Sequence, residues 1–218
     1  MIMIHDLSQQ NSLVHQILYE LRNVNIQSNR PSFRYNMRKY GQICAYEISK
    51  LLDYESFLTE TTLGEADVKK LSAPIVICPI LRAGLTIHEG MLDFLPDSES
   101  GFISAYRKHD SAGNFEIKLS YLTCPDIDKK ILILADPMLA TGASIEQSLT
   151  ELASYGTPLR IFIVSCIASK EGIDYIHKKY PKITIFVGAI DEELTAKSYI
   201  VPGLGDAGDL SYGPKLQD

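Results

Sequence analysis

The sequence predicts an α/β fold with a central, mainly parallel β-sheet flanked by helices. Three short apolar runs, at 75–79, 131–134 and 159–166, are typical of strands buried on both faces of a parallel sheet. Each run precedes a segment whose apolar residues recur at helical spacing. Strands that alternate with helices in this way indicate a doubly wound sheet.

The first 52 residues contain two predicted amphipathic helices. Segment 11–27 places Leu13, Ile17 and Leu21 on one helical face, and segment 32–52 repeats the pattern with Ser32 as the expected N-cap. Their broad apolar stripes could cover the sheet or contact another subunit.

The remaining elements follow in order along the chain. A helix begins near Leu85 after strand 75–79. Two strands that read as a projecting β-hairpin come next, because the second alternates between apolar and polar residues. The strands of this hairpin are 103–107 and 115–121, joined by a polar loop at 108–114. The elements predicted after the hairpin are strand 131–134 with its helix, strand 159–166, helix 171–179, strand 183–187 and an irregular segment from Ala189.

Composition and charge exclude several classes of protein. A chain of 218 residues is expected to form one domain, 1–218. The formal charge of −6 argues against non-specific nucleic-acid binding, which needs a basic surface. No apolar run approaches the ~20 residues of a membrane span, and the N-terminus does not read as a signal peptide. We therefore expect no nucleic-acid partner and no membrane association.

The four cysteines indicate a reducing compartment. Cys44, Cys78, Cys124 and Cys166 lie far apart and form no CxxC pair, which makes a zinc site improbable. A cytoplasmic location is the simplest expectation.

The segment after strand 131–134 has the features of a phosphate site. An acid, Asp136, is followed by a turn of small residues at 140–144 and then by a helix. Backbone N–H groups, two hydroxyls and the positive end of a helix dipole can bind a phosphate there. Because the carboxylate would repel a bare phosphate, it should face hydroxyls or a metal on the same ligand, which favours a sugar phosphate. The residues alone leave open an ordinary helix capped by Thr141 or Ser144.

Three separated motifs resemble those of the uracil phosphoribosyltransferase family. Asp136-Pro137-Met138-Leu139-Ala140-Thr141-Gly142-Ala143-Ser144 resembles its loop for phosphoribosyl pyrophosphate (PRPP). Pro79-Ile80-Leu81-Arg82-Ala83-Gly84-Leu85 and the segment 199–209 resemble its other two motifs. The resemblance covers most of the chain and implies a type I phosphoribosyltransferase-like fold, with the projecting hairpin and a C-terminal, base-binding hood at 189–213.

The resemblance also implies which residues bind each substrate. The PRPP-binding residues would be Arg82, Arg107, Asp136, Pro137, Met138, Leu139, Ala140, Thr141, Gly142, Ala143, Ser144 and Asp206. The uracil-binding residues would be Ile200, Gly205, Asp206 and Ala207. Catalysis would rest on Arg107, which stabilises the leaving pyrophosphate with Arg82, on Asp136, which holds the ribose hydroxyls, and on Asp206, which positions or deprotonates the base.

The hood also contains a formal GxGxxG pattern, at Gly203, Gly205 and Gly208. A dinucleotide fold would need a helix and a return strand after it, and only ten residues follow. A backbone-rich loop can instead read uracil, whose two carbonyls accept and whose N3–H donates hydrogen bonds. Cytosine would leave backbone groups unpaired, at a cost of about 1–3 kcal/mol each.

The implied reaction is uracil + PRPP → UMP + diphosphate, a step of pyrimidine salvage. Mg²⁺ is the implied cofactor, carried by PRPP rather than held directly by the protein, because Pro137 replaces the second acid of related loops. The apolar N-terminal helices favour a homodimer or homotetramer, and the resemblance makes GTP a candidate activator. Where the family usually has glycine this chain has Ala143, which must then avoid positive φ. Lys170, Leu210 and Pro214 are further departures.

Three alternatives stay open at this point. One is a non-catalytic regulator of pyrimidine genes on the same fold, which would need a basic face for RNA. Another is an enzyme for hypoxanthine or xanthine, although relatives specific for purines carry the two-acid loop. The last is an inactive scaffold.

Overall fold

The computed structural model describes residues 4–109 and 115–216, with the backbone alone for 105–109 and 115–120. The strands within these ranges are β1 (Ile4–Asp6), β2 (Tyr54–Thr61), β3 (Gly64–Leu71), β4 (Ile75–Leu81), β5 (Glu99–Ser100), β6 (Phe102–His109), β7 (Phe115–Thr123), β8 (Ile131–Ala135), β9 (Met138–Leu139), β10 (Arg160–Ser169), β11 (Thr184–Asp191), β12 (Glu193–Leu194) and β13 (Ile200–Val201). The helices are α1 (Leu13–Arg22), α2 (Arg30–Ser49), α3 (Leu85–Phe94), α4 (Ala143–Leu152), α5 (Lys170–Lys179) and α6 (Ala207–Tyr212).

The central sheet has nine strands, and its main path runs in the order β1-β11-β10-β8-β4-β6-β7. The short strands β5 and β9 pair with β4 and β10. Every pairing in this sheet is parallel except the antiparallel pair β6–β7. The predicted mainly parallel sheet is confirmed.

Helices cover both faces of the sheet, as predicted. Neighbouring residues of β4 point to opposite faces: Ile75 and Ile77 belong to one apolar cluster, Val76 and Cys78 to the other. Helices α1, α2 and α3 bury their apolar residues in the first cluster, and α4 and α5 in the second. The two N-terminal helices therefore pack on the sheet, which settles the choice that the sequence left open for their buried faces.

Helix α2 approaches α3 closely and begins earlier than predicted. A Cβ atom at Gly41 would overlap the carbonyl oxygen of Ile87, so glycine permits this contact. The expected N-cap at Ser32 is wrong. The N-cap is Asn29, whose side chain accepts a hydrogen bond from the Ser32 backbone N–H at 3.0 Å. Pro31 explains the earlier start, because its fixed φ suits the first turn of a helix.

The hairpin of β2 and β3 was not predicted from the sequence. These two strands form a separate antiparallel sheet in which every residue of β2 is exposed. With no buried face, the strands lack the alternation of polar and apolar residues that reveals a strand in a sequence.

The predicted hairpin at 103–121 is confirmed as β6 and β7. Strand β6 pairs with β4 only at Ile80↔Ile103 and Leu81↔Ser104, and from there it continues with β7 alone to His109↔Phe115. The hairpin therefore extends beyond the sheet. Lys108 and His109 belong to β6 rather than to the predicted loop, whose residues 110–114 lie outside the described part of the chain. Across the described ranges, no helix is long and apolar enough to cross a membrane.

Candidate active site

The segment at 136–144, named here the phosphate loop, lies against strand β10. The carbonyl oxygen of Pro137 accepts hydrogen bonds from the backbone N–H groups of Cys166 and Ile167, both at 3.0 Å. Residues 138–139 then form β9, which pairs with Ile167 and Ala168. The part of the phosphate loop that precedes the predicted turn at 140–144 is thus a fixed part of the sheet.

The loop encloses an open cup of about 230 Å³, a volume that includes the solvent at its mouth. Most of the residues predicted to bind PRPP form this cup, together with one that was not predicted, Ile145. The lining residues are Asp136, Met138, Leu139, Ala140, Thr141, Gly142, Ala143, Ser144 and Ile145. Pro137 is buried and does not line the cup.

The N-terminus of α4 opens into the cup. Its N-cap is Gly142, in the left-handed region with φ +82°, and Ala143 begins the helix without positive φ. Ala143 therefore avoids positive φ, as the sequence analysis required of an alanine in place of glycine. Neither Thr141 nor Ser144 caps the helix. The hydroxyl of Thr141 accepts only a long hydrogen bond, 3.4 Å, from the Ala143 N–H.

Helix α5 packs directly against the back of the phosphate loop. A Cβ atom at Gly172 would overlap the carbonyl oxygen of Ala140, and one at Gly142 would lie 2.9 Å from Cδ1 of Tyr175. No residue of α5 lines the cup, so these contacts support the loop without entering the cup. No motif in the sequence singled out Tyr175, since its role depends on a contact between two helices.

Asp136 is half-buried where β8 ends. Its Oδ1 accepts a hydrogen bond from the Met138 N–H at 3.3 Å, and its carbonyl oxygen accepts one from the Ser165 hydroxyl at 2.6 Å. The first bond orients the carboxylate at the wall of the cup, and the second fixes the backbone that carries it. It is the one carboxylate in the lining, and in the described parts of the chain no three His, Cys, Asp or Glu side chains gather around a metal site.

The turn that carries Arg82 lies beside the phosphate loop. Strands β4 and β8 are neighbours, with Pro79 opposite Ala135, so Arg82 and Asp136 follow them at the same edge of the sheet. A Cβ atom at Gly84 would overlap the carbonyl oxygen of Ala135, which shows how closely the turn approaches β8. The Leu81–Arg82 peptide bond is cis.

Arg82 connects this turn to the hood. Its Nη2 donates to Oδ1 of Asp209 at 3.0 Å and to the carbonyl oxygen of Gly213 at 3.3 Å. The guanidinium remains partly accessible, with 43% of the side chain exposed. The structure therefore brings together the phosphate loop, the arginine turn and the hood.

The base of the hood is fixed by an ion pair that the sequence did not reveal. Arg22 donates to both carboxylate oxygens of Asp191 at 2.8 Å, and also to the carbonyl oxygen of Gly203 at 2.9 Å. The Gly203 N–H completes the network by donating to Asp191 at 2.8 Å. Helix α1, strand β11 and the hood are thus joined at one point.

The residues predicted to bind uracil lie together around the start of α6. Ile200 and Ala207 are buried in the apolar core, so their backbones rather than their side chains can face a ligand. Gly205 adopts φ +93°, and Asp206 is the N-cap of α6 through a 2.9 Å hydrogen bond from the Asp209 N–H. The hood is consequently more regular than predicted: it includes β12, β13 and α6.

The carboxylate of Asp206 is held in its ionised form. Burial alone would raise its pKa, but a 2.8 Å hydrogen bond from Nζ of Lys215, the Asp209 and Gly208 backbone N–H groups and the Lys215 charge together lower the pKa below its usual value. A carboxylate with a lowered pKa is a weak base, which favours a positioning role over deprotonation.

Arg107 can be placed only by its backbone. It lies in β6 opposite Ile117, and its side chain is outside the described part of the structure. Its contact with pyrophosphate stays a prediction.

Comparisons with known proteins identify the family. The family model described as uracil phosphoribosyltransferase matches residues 8–214. The uracil phosphoribosyltransferase of Porphyromonas gingivalis is 45% identical over 96% of this chain and 98% of its own length, and that of Pyrococcus furiosus is 39% identical over 94% and 88%. The solved structure of the AQ2163 protein from Aquifex aeolicus has a TM-score of 0.88 and 33% identity, covering 99% of this chain and all of that one. The chain belongs to the uracil phosphoribosyltransferase family.

Proposed function

We propose that this chain transfers the phosphoribosyl group of PRPP to uracil, forming UMP and diphosphate in pyrimidine salvage. The observation that carries the proposal is the meeting of the phosphate loop, the Arg82 turn and the hood at one edge of the sheet. Open α/β sheets bind ligands at this edge. The chain would act as one unit, 1–218, with residues 189–213 as the base-binding hood.

The 5′-phosphate of PRPP would bind in the cup. Backbone N–H groups at the start of α4 and the hydroxyls of Thr141 and Ser144 suit an anion, and the helix dipole adds a positive potential. Binding energy gained there would orient the reacting carbon of the ribose. Asp136, at the wall of the cup, would accept hydrogen bonds from the ribose hydroxyls and favour the positive charge that develops on the sugar.

The leaving pyrophosphate would be bound by Arg82, with Arg107 as the second proposed arginine. Because the pyrophosphate gains negative charge as the bond to the sugar breaks, fixed cations at its oxygens stabilise the transition state. Asp136 is the one carboxylate in the lining of the cup, and a single carboxylate does not make a protein-held metal site, so Mg²⁺ would be carried by PRPP oxygens and would neutralise part of the same charge.

The base would be read by the backbone of the hood. The buried side chains of Ile200 and Ala207 leave N–H and C=O groups of this segment to face a flat polar ligand. Asp206 would position the base nitrogen. A site built to match uracil rejects cytosine, because the exchanged donor and acceptor leave backbone groups unpaired.

We further propose a homodimer or homotetramer. Hairpin β2–β3 forms no larger sheet with other described strands and exposes Tyr54, Phe57, Leu58, Leu63 and Val68. An isolated hairpin is marginally stable in water, so a second copy of the chain is the proposed partner. Sedimentation should give at least a dimer for the wild type and a monomer after Leu58→Glu; a monomeric wild type would contradict the proposal.

A cytoplasmic location is also proposed, since the four cysteines are free thiols. GTP is the proposed activator, to be tested by adding it to the assay.

Two measurements test the function. Chromatography should detect UMP when uracil, PRPP and Mg²⁺ are combined with the protein, and no UMP when PRPP is left out. The alternative, a non-catalytic RNA-binding regulator, predicts retention of RNA at low salt; we expect none. RNA retention without UMP formation would contradict the proposed enzyme activity and would support the regulator.

A further inference from the structure

Glu146 is an acidic residue close to the proposed phosphate site. It lies in the first turn of α4, and its backbone N–H donates to the carbonyl oxygen of the N-cap, Gly142, at 2.9 Å. An acid at a helix N-terminus stabilises the helix itself. Next to a bound phosphate, however, the same charge opposes the ligand.

Helix α5 engages both carboxylate oxygens of this acid. The hydroxyl of Tyr175 donates a hydrogen bond to Oε2 of Glu146, and Nζ of Lys179 forms an ion pair with Oε1. The side chains of Glu146 and Lys179 are 22% and 48% exposed, so solvent screens part of their attraction. Both oxygens of the carboxylate are therefore bound by side chains of α5.

Tyr175 also contacts the phosphate loop itself. Its ring lies against Gly142, where an added Cβ atom would be 2.9 Å from Cδ1. One side chain thus touches the glycine of the loop and the acid of the helix that follows it.

We propose that Lys179 and Tyr175 are positioning residues for the 5′-phosphate of PRPP. Both hold the Glu146 carboxylate towards α5, and the ammonium of Lys179 neutralises its charge, so that the helix N-terminus keeps a net positive potential for the phosphate. The inference rests on the proposed assignment of the phosphate loop.

The first test is Lys179→Met. The variant leaves Glu146 uncompensated about one helical turn from the phosphate, so the KM for PRPP should rise about two- to fivefold, the range typical of charges near a helix terminus. The KM for uracil and the kcat at saturating PRPP should not change. The effect should shrink at high ionic strength, because salt screens the repulsion. Lys178→Met is the matched control: it makes the same change of charge on the same helix, at an exposed residue without an ion pair to Glu146.

A rescue separates electrostatics from simple loss of packing. In the double variant Glu146→Gln/Lys179→Met the repelling charge is gone, so the KM for PRPP should return to the wild-type value. If lost packing were the cause, the double variant would be no better than Lys179→Met, and the proposal would be overturned. Glu146→Gln alone should not raise the KM for PRPP, because it removes the repelling charge. This variant provides a second test if Lys179→Met does not fold.

The phosphate assignment is tested separately with Thr141→Val, which removes a hydroxyl from the cup. If Thr141→Val leaves the KM for PRPP unchanged, the assignment of the loop itself fails. If Thr141→Val raises it while Lys179→Met does not, only the role of Lys179 and Tyr175 fails.

Discussion

Nη2 of Arg82 lies 3.0 Å from Oδ1 of Asp209, and this ion pair joins the turn after β4 to the last helix of the hood. Both side chains are more than a third exposed, so the pair contributes little to folding. An arginine held this weakly can exchange its carboxylate partner for phosphate oxygens. The ion pair therefore links the proposed pyrophosphate site to the proposed base site.

Arg82→Ala should abolish most of the activity. If Arg82 stabilises the leaving pyrophosphate, its loss should lower kcat/KM for PRPP by about 10²–10³-fold, as for other donors that stabilise developing charge. Steady-state kinetics measure this. Arg38→Ala is the control, because Arg38 forms a comparable exposed pair with Asp93 outside the site; equal losses in the two variants would contradict the role of Arg82.

Gly142→Ala should damage the phosphate loop, whereas Ala143→Gly should not. Alanine at 142 would need φ near +82° and would press against Tyr175, so we expect a loss of at least about 1 kcal/mol in stability and weaker PRPP binding. Ala143→Gly restores the usual residue of the family within a helix and should cost only about 0.5–1 kcal/mol, with PRPP binding retained. Urea unfolding and calorimetric titration with PRPP would check both. The reverse ranking would show that the loop geometry is wrong.

Asp191→Asn should loosen the hood. The variant leaves Arg22 without its ionic partner, and because Arg22 is 24% exposed we expect a loss near the lower end of the range for buried pairs, about 3 kcal/mol. The KM for uracil should rise, since the amide offers one acceptor oxygen where the carboxylate offers two to the N–H groups of Arg22 and Gly203. Asp93→Asn removes an acid from an exposed pair and should change neither quantity much. An unchanged unfolding midpoint in Asp191→Asn would refute the anchoring role.

Lys215→Met should raise the pKa of Asp206. In the wild type this pKa is lowered despite burial, so the carboxylate is ionised at neutral pH. A lowered native pKa contributes stability above the ordinary pKa of an aspartate, and this contribution is lost as the pH falls through the native value. Without the hydrogen bond and the charge of Lys215 the pKa is lowered less, so the loss should begin at a higher pH. Carboxyl NMR titration measures the pKa directly; identical titration curves for the two proteins would disprove the assignment.

The sequence predicted the sheet and its phosphate loop because both leave local signals. Strands β4, β8 and β10 are continuous apolar runs, and Asp136 with the small residues after it stands where a strand gives way to a helix. Composition and periodicity suffice for the strands. For the loop they left an ordinary capped helix open, and the resemblance to the family's PRPP motif favoured a phosphate site.

The features that were missed leave no local signal in the sequence. Hairpin β2–β3 has no buried face, and α6 has only six residues in a segment rich in glycine and aspartate. The Arg22–Asp191 pair joins residues 169 positions apart. Helix α5 behind the phosphate loop is visible only once the helices are packed. No periodicity within a single segment encodes these relationships.

Conversion of radiolabelled uracil in the presence of PRPP and Mg²⁺, run beside cytosine, hypoxanthine and xanthine, tests the central proposal most directly. We predict UMP from uracil and no nucleotide from the other three bases. A nucleotide from hypoxanthine or xanthine, or no product from any base despite measurable PRPP binding, would contradict the proposed activity.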